Sequence, residues 1–201
     1  MDPPHPPLPT YYDGEQARSG WVRDIFSRTA ADYDRVERAI SFGSGSWYRH
    51  RALRQAGPGA GMVVVDVGVG TGLVARQAAA IAGDPACVIG VDPSPGMVAN
   101  AKVPGGVRLM PGSAEHLPVP AASAEFISMG FALRRVVPWI AACVSLHQDT
   151  PKLMGYYWDT IEACVAAAAV MSAMRVAGFV RVVRNVELGI FSAYGAQKPA
   201  G

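Results

Sequence analysis

Short apolar runs alternate with helical patterns in the central part of the chain. Four runs of strand length are bounded by glycine, proline or polar residues, and they cover residues 62–67, 87–92, 107–110 and 124–131. An alanine-rich helical segment from Leu73 to Ile81 follows the first run, and Pro95 begins a helix after the second. Strands that alternate with helices are typical of a parallel sheet covered by helices. The central pattern therefore predicts an α/β fold.

Helical spacing dominates the segment before this centre, and mixed patterns follow it. Residues 14–57 place apolar side chains three and four positions apart, with a glycine-rich break at Ser41–Gly45. The predicted C-terminal elements are helices at 156–165 and 168–176 and strands at 179–188 and 190–197. The two strands follow each other directly across Gly189, so we expect them to form an antiparallel pair.

Length and composition predict about one domain and favour a reduced, cytoplasmic location. It has 201 residues, half of them apolar, and a net charge of +2. Because this charge is small and no dense basic run occurs, nucleic-acid binding is not expected. The three cysteines are far apart, which suits a reduced, cytoplasmic protein without a zinc site. No stretch approaches the roughly 18 apolar residues of a membrane helix, so we expect a soluble protein.

The turn between the first strand and its helix carries the strongest functional signal. Gly68, Gly70 and Gly72 remove side chains where the backbone turns sharply or approaches a ligand. Asp66 places a carboxylate at the end of the strand, where open α/β sheets bind ligands. The frame from Gly70 to Ala75 fits the pattern of dinucleotide-binding proteins. The frame from Asp66 to Gly72 fits that of Rossmann-like S-adenosylmethionine-dependent methyltransferases. A turn that needs glycine for geometry alone is the third interpretation.

Charged residues also follow two later strands. Asp92 ends the second strand, twenty residues after Gly72, where an acidic side chain accepts hydrogen bonds from ribose hydroxyls. Ser94 is the predicted N-cap of the helix that begins at Pro95. Arg134 follows the fourth strand, and its guanidinium can either hold an anionic or enolic oxygen or pair with a surface acid. The first of these interpretations makes Arg134 a candidate catalytic residue.

Taken together, these motifs resemble the ubiquinone/menaquinone C-methyltransferases. The resemblance extends in order from about residue 21 to residue 198. The motifs that carry it are Phe26-x5-Asp32-Tyr33-Asp34, Ser41-Phe42-Gly43, Asp66 to Gly72, Asp92-Pro93-Ser94, Gly112-Ser113-Ala114-Glu115-x-Leu117-Pro118, Phe131-Ala132-Leu133-Arg134, Pro151-Lys152-Leu153-Met154-x-Tyr156-Tyr157-Trp158 and Ala177-Gly178-Phe179. Each motif is short, but together they favour a methyl donor over a dinucleotide.

The resemblance implies a role for each matching residue. Asp66 and the glycines would cradle the methionine part of S-adenosylmethionine, and Asp92 would bind its ribose. Ser113 would border the adenine, and Tyr33 would belong to a helical cover over the donor. Arg134 would assist deprotonation of a quinol. The implied cofactor-binding residues are Tyr33, Asp66, Gly68, Gly70, Gly72, Asp92, Pro93, Ser113, Ala114 and Met129.

The chain departs from the family pattern in three places. Ser113 stands where members usually carry aspartate, which removes one hydrogen bond to adenine, and Ala132 replaces a usual glycine. After Val136 the family continues with a helix, a turn and a fifth strand that are missing here. Only the eight residues 131–138 remain for the connection, whereas a parallel crossover needs about a dozen. Residues 137–148 are therefore predicted to form a helix or an irregular cover.

The resemblance implies a three-layer, Rossmann-like sandwich. Its mostly parallel sheet would lack one central strand and end in the antiparallel pair, leaving six strands or a local gap. Residues 1–20, with five prolines among the first ten, would form a flexible arm, and residues 21–201 a single domain. This domain would comprise a helical cover (21–60), a cofactor-binding core (61–136), and an acceptor-side cover with the C-terminal strands (137–201).

The implied activity is transfer of a methyl group from S-adenosylmethionine to a ring carbon of a prenylated quinol. The partner would be this lipid-like substrate, reached through a transient contact with a membrane surface, and no metal would take part. Three alternatives stay open: an impaired or inactive homologue that keeps the donor site, a methyltransferase of another small molecule, and a nicotinamide enzyme. Tyr156, Tyr157 and Trp158 either line an acceptor pocket or belong to the core.

Overall fold

The central sheet is built from the four apolar runs of the sequence. The computed structural model describes residues 6–114, 116–120, 123–129, 147–163, 166–187 and 191–197. The strands are β1 (Val64–Val67), β2 (Val88–Asp92), β3 (Arg108–Pro111) and β4 (Phe126–Met129). They are hydrogen-bonded in the order β3-β2-β1-β4, and each neighbouring pair is parallel. This confirms the predicted parallel sheet.

Helices precede the sheet and connect its strands. They are α1 (Gly14–Ile40), α2 (Gly45–Ala56), α3 (Leu73–Ala82) and α4 (Pro95–Ala99), with a short 3-10 turn at Pro85–Cys87. The helix α4 begins as predicted, because the Ser94 hydroxyl accepts a hydrogen bond from the Met97 amide at 3.2 Å. None of the described helices combines the length and the apolarity needed to cross a bilayer.

The two faces of β1 pack against different parts of the molecule. Val64 faces the alanines of α3 together with Val88 of β2, so small side chains let the helix approach the sheet closely. Val65 lies on the opposite face, in a cluster with Ile89 and the loop residue Val119. Every residue of β1 and β2 is buried. The carboxyl ends of these two strands therefore stand on a tightly packed base.

The C-terminal part contains two helices and a hairpin. They are α5 (Thr150–Ala163), α6 (Ala167–Val176), β5 (Val180–Glu187) and β6 (Phe191–Gln197). The strands β5 and β6 pair antiparallel, as predicted. Within the described residues this pair is a separate sheet, since each strand finds its backbone partners in the other. The described residues thus contain six strands, which form one four-stranded sheet and one two-stranded sheet in place of a single six-stranded sheet. The predicted gap lies largely in residues 130–146, which are outside the described ranges.

The N-terminal segment differs from the predicted flexible arm of residues 1–20. The helix α1 already begins at Gly14. Tyr12 is buried, and the Tyr11 hydroxyl donates a hydrogen bond to the Asp159 carboxylate on α5 at 2.6 Å. Both tyrosine rings pack against aromatic rings of α1 and α5. Burial of these rings ties the described part of the segment to the helices in spite of its prolines.

Candidate functional site

The glycine-rich loop crosses over the end of β2. The amides of Gly68 and Val69 both donate to the Val91 carbonyl, at 2.8 and 3.0 Å. Gly68, Gly70 and Gly72 all have left-handed φ values, of 70°, 55° and 85°. Any other L-amino acid is strained at such angles, so this path requires glycine. The loop then enters α3, whose first turn points at the sheet edge.

The space around the three glycines differs. A Cβ built on Gly72 would lie 2.4 Å from a methyl group of Val103, so this glycine is needed for packing. A Cβ on Gly68 would meet nothing within 4 Å, and one on Gly70 would meet only the Gly68 carbonyl at 3.9 Å. The first two glycines therefore border open space, as expected where a backbone receives a ligand.

Asp92 lies directly beside this loop and organises it. One carboxylate oxygen accepts a hydrogen bond from the Gly70 amide at 2.8 Å, and the other accepts one from the Ser94 amide at 2.8 Å. Burial raises the pKa of Asp92, and the hydrogen bonds from Ser94 and Gly70 oppose this rise. Because a carboxylate oxygen can accept two hydrogen bonds, each oxygen retains one acceptor position.

Asp66 is the second carboxylate at the sheet edge, and it is 1% exposed. Its Oδ1 accepts a hydrogen bond from the Ser128 hydroxyl of β4 at 2.8 Å. Its Oδ2 is buried and has no hydrogen-bond partner among the described residues. Burial raises the pKa of Asp66 to about 7, against the lowering effect of the Ser128 hydrogen bond and the Ala75 amide, while the Asp92 charge raises it further. Near neutral pH this carboxyl group is thus both buried and partly protonated.

Ser128 is a site residue that the sequence pattern did not single out. It lies directly opposite Asp66 in the register of β1 and β4. The available signal was a hydroxyl inside an apolar strand run, which costs free energy unless it finds a buried partner. Without the strand order, however, the sequence does not show which partner that is.

The helix α1 contacts two loops at the sheet edge, the glycine-rich loop and the loop that follows β2. The Thr71 hydroxyl of the glycine-rich loop donates to the Asp34 carboxylate, and Lys102 lies 3.8 Å from the same carboxylate. Near the end of β2, the Ser27 and Ser94 hydroxyls are hydrogen-bonded at 2.9 Å. Tyr33, next to Asp34, is half-buried. Through these contacts α1 lies against both loops at the sheet edge, and its role as a cover over the donor stays a prediction.

The other predicted site residues follow the ends of the outer strands. Pro93 is exposed after β2, Ser113 and Ala114 follow β3, and Met129 ends β4. All four therefore lie at the same carboxyl edge as Asp66 and Asp92. Arg134, the predicted catalytic residue, lies outside the described residues. Within the described ranges, no three histidine, cysteine or carboxylate side chains converge in a way that could hold a metal ion.

The sequence model of the ubiE/COQ5 methyltransferase family matches residues 13–147. This match includes the α1 cover, the glycine-rich loop and both buried carboxylates. The chain belongs to the ubiE/COQ5 methyltransferase family. The resemblance seen in the short motifs is thereby confirmed over about two thirds of the sequence.

Two curated relatives illustrate the similarity within this family. The ubiquinone/menaquinone biosynthesis C-methyltransferase UbiE of Rubrivivax gelatinosus is 35% identical over 136 residues, which are 67% of this chain and 53% of that protein. The demethylmenaquinone methyltransferase of Geobacillus kaustophilus is 30% identical over 141 residues, which are 67% of this chain and 60% of that protein. The chain therefore spans between half and two thirds of the length of these relatives.

Solved structures confirm the Rossmann-like methyltransferase fold. The putative S-adenosylmethionine-dependent methyltransferase of Methanococcus maripaludis aligns with a TM-score of 0.59 at 12% identity and covers 88% of this chain and 95% of that one. The magnesium protoporphyrin IX methyltransferase of Synechocystis PCC 6803 with bound SAH aligns with a TM-score of 0.56 at 18% identity, over 89% of this chain and 98% of that one. At such identities the agreement concerns the fold alone.

Proposed function

We propose that the chain is an S-adenosylmethionine-dependent methyltransferase that methylates a ring carbon of a prenylated quinol. The observation that carries the donor assignment is the pairing of an open glycine backbone with two buried carboxylates at one sheet edge. S-adenosylmethionine has a ribose, a sulfonium and an amino acid end. Asp92, the open glycine backbone and Asp66 would meet these three parts in that order. Membership in the ubiE/COQ5 family supports the same choice over a dinucleotide.

The residues present fit this donor. Asp92 keeps one free acceptor position on each oxygen, which suits the two neighbouring hydroxyls of a ribose. Gly68 and Gly70 leave room for the methionine part against bare backbone. The buried Oδ2 of Asp66 has no hydrogen-bond donor among the described residues, and the amino group of the ligand could supply one. Pro93, Ser113, Ala114 and Met129 remain proposed contacts at the edges of the site.

When bound, S-adenosylmethionine supplies a methyl group already activated by the positively charged sulfur. The work of the chain is then to align donor and acceptor and to exclude water. The helix α1 is proposed to do the second together with Tyr33, which is supported by the hydrogen bond from Thr71 of the glycine-rich loop to the Asp34 carboxylate. Arg134 is proposed to stabilise the ionised hydroxyl of the acceptor, since a fixed guanidinium favours a developing anion.

The names of the relatives support the acceptor class. The Rubrivivax relative is a ubiquinone/menaquinone biosynthesis C-methyltransferase, and the Geobacillus relative is a demethylmenaquinone methyltransferase. Both names refer to a quinone, and the first specifies methylation at carbon. We therefore expect a demethylmenaquinol-like acceptor for this chain.

Calorimetric titration with S-adenosylmethionine and, separately, with NAD tests the donor assignment. We expect saturable binding of S-adenosylmethionine only. Binding of NAD alone would overturn the proposal and restore the dinucleotide interpretation of the glycine-rich loop.

Transfer of labelled methyl groups to a demethylmenaquinol extract tests the reaction. We expect label in the quinol fraction, and none in a reaction that lacks the extract. Donor binding without transfer to any quinol would instead support an inactive homologue, for which the missing segment after Val136 is the motivating observation.

A further inference from the structure

Two large aromatic side chains are exposed where α1 meets α2: Phe42 in the turn between the helices and Trp47 in the first turn of α2. Phe42 is 89% exposed and Trp47 is 64% exposed, and neither belongs to the hydrophobic clusters of the core. Phe42 has a left-handed φ of 48°, a conformation that a bulky residue rarely adopts. We call this pair, Phe42 and Trp47, the aromatic tip. Its exposure gains nothing for the stability of the fold.

The surface around the aromatic tip is basic. On α2, Trp47, Arg51 and Arg54 recur four and three positions apart, so they share one helix face, opposite the buried Leu53. The Arg51 guanidinium lies 5.5 Å from the centre of the Trp47 ring. Residues 41–57 contain three arginines and one histidine but no aspartate or glutamate.

The carboxylates of α1 that face this region offset only part of its charge, that of Arg49. Glu37 is paired with Arg49, and Asp34 is engaged by Thr71 and Lys102. Arg38 and Arg54 are exposed, and no described carboxylate pairs with either of them. The outer face of the turn and of α2 therefore presents aromatic surface framed by positive charge.

From this combination we propose that the aromatic tip docks on a lipid bilayer that carries anionic headgroups. Phenylalanine and tryptophan favour the interface between headgroups and acyl chains, and arginines beside them attract anionic lipids. Two side chains form too small a patch for a stable protein–protein interface, which buries hundreds of square ångströms on each partner. The proposal assigns the expected transient membrane contact to named residues, and its test does not depend on the proposed activity, because docking itself needs neither a methyl donor nor a quinol.

Flotation of the full chain with lipid vesicles tests this docking. We expect the chain to float with vesicles of phosphatidylcholine containing about one third phosphatidylglycerol, and to stay in the dense fraction with phosphatidylcholine alone. High concentrations of sodium chloride should weaken the first result, because salt screens the arginines. Failure of the chain to float with the anionic vesicles would overturn the proposal.

A double variant separates the aromatic tip from other exposed apolar residues. In Phe42→Asn/Trp47→Gln, asparagine keeps the left-handed conformation while both aromatic rings are lost. We expect its vesicle partition to fall by about tenfold or more. The matched control is Val176→Gln on α6, since Val176 is 87% exposed and lies outside this region. Equal partition of the double variant and the control would contradict the proposal.

Two further measurements test the docking even if the double variant folds poorly. Brominated acyl chains should quench tryptophan fluorescence of the wild-type chain more than that of Trp47→Gln alone, because only Trp47 enters the bilayer. Arg51→Gln/Arg54→Gln should also lower the partition into anionic vesicles. If sedimentation instead shows self-association that Phe42→Asn abolishes, with no quenching by the lipid, the aromatic tip binds a second copy and the bilayer proposal is wrong.

Discussion

The centre of the four-stranded sheet and its β4 edge are packed to different degrees. In β1 and β2 every side chain is buried, and the polar groups at their carboxyl ends are held by backbone amides or by Ser128. In β4, Ile127 is 57% exposed and Met129 is 49% exposed. The hairpin strand β5 likewise exposes Val180 and Val183.

Within the described residues, this difference separates a closely packed half around the glycine-rich loop from a half around β4 whose apolar side chains are partly exposed. The half with the glycine-rich loop satisfies its packing and most of its hydrogen bonds within the described residues, in part through distant partners such as Ser128 for Asp66 and Ser27 for Ser94. The half around β4 leaves apolar side chains of the sheet uncovered by the described residues. Because apolar exposure on a sheet face costs stability, we expect the first half to be far more sensitive to substitution than the second.

The largest expected effect concerns the pH dependence of stability through Asp66. Its pKa is raised from an ordinary 3.8 to about 7 on folding, so the folded state binds more protons between these values. The free energy of unfolding should therefore fall as the pH rises through this window, by on the order of 4 kcal/mol from this group. Urea unfolding of the wild type and of Asp66→Asn across this pH range measures the difference.

In Asp66→Asn the contribution of Asp66 should be absent and the fall therefore smaller, with the part that comes from the raised pKa of Asp92 remaining. Asp24→Asn, which changes an exposed carboxylate on α1, should keep the wild-type pH dependence. Identical pH profiles for the wild type and Asp66→Asn would show that Asp66 is not the titrating group.

The next largest effect is expected at the contact between α1 and α4. A Cβ on Gly96 would lie 2.4 Å from the backbone carbonyl oxygen of Ser27, so Gly96→Ala must push the two helices apart. We expect the free energy of unfolding to fall by about 3 kcal/mol, as for other overpacked sites. Gly105→Ala, where a Cβ meets nothing within 4 Å, is the matched control and should be close to neutral in the same denaturation assay.

Asp92→Ala should weaken donor binding, and it should also lower the free energy of unfolding, because the Gly70 and Ser94 amides lose their acceptor. The ribose hydroxyls would lose a buried acceptor, which is worth about 1–3 kcal/mol of binding free energy. Calorimetric titration with S-adenosylmethionine measures this change, with Asp24→Ala as the control for loss of a carboxylate elsewhere. Unchanged affinity of Asp92→Ala would rule out the ribose assignment.

The smallest expected effect is a gain in stability from replacing Gly20, which lies inside α1. A Cβ there meets nothing within 4 Å, and glycine in a helix interior is less favourable than alanine. Gly20→Ala should therefore raise the free energy of unfolding by about 0.5–1 kcal/mol. A thermal midpoint below that of the wild type would indicate that this part of α1 makes contacts beyond the described residues.

Local signals were sufficient for much of the fold and for part of the site. The apolar runs predicted β1 to β4, and Ser94 with Pro95 predicted the start of α4, because both depend on neighbouring residues only. The hydrogen bond between Ser128 and Asp66 could not be predicted, since it depends on which strands are neighbours. The buried position of Tyr12 likewise depends on α5, more than a hundred residues away.

The two amide hydrogen bonds of Asp92 have a consequence for the kinetics and thermodynamics of recognition. They fix Gly70 and Ser94 on either side of one carboxylate through contacts within the chain itself. Backbone freedom at these positions is therefore lost during folding and not at the moment of association. A molecule that arrives at this edge meets a preorganised receptor, and more of its contact energy remains available as affinity.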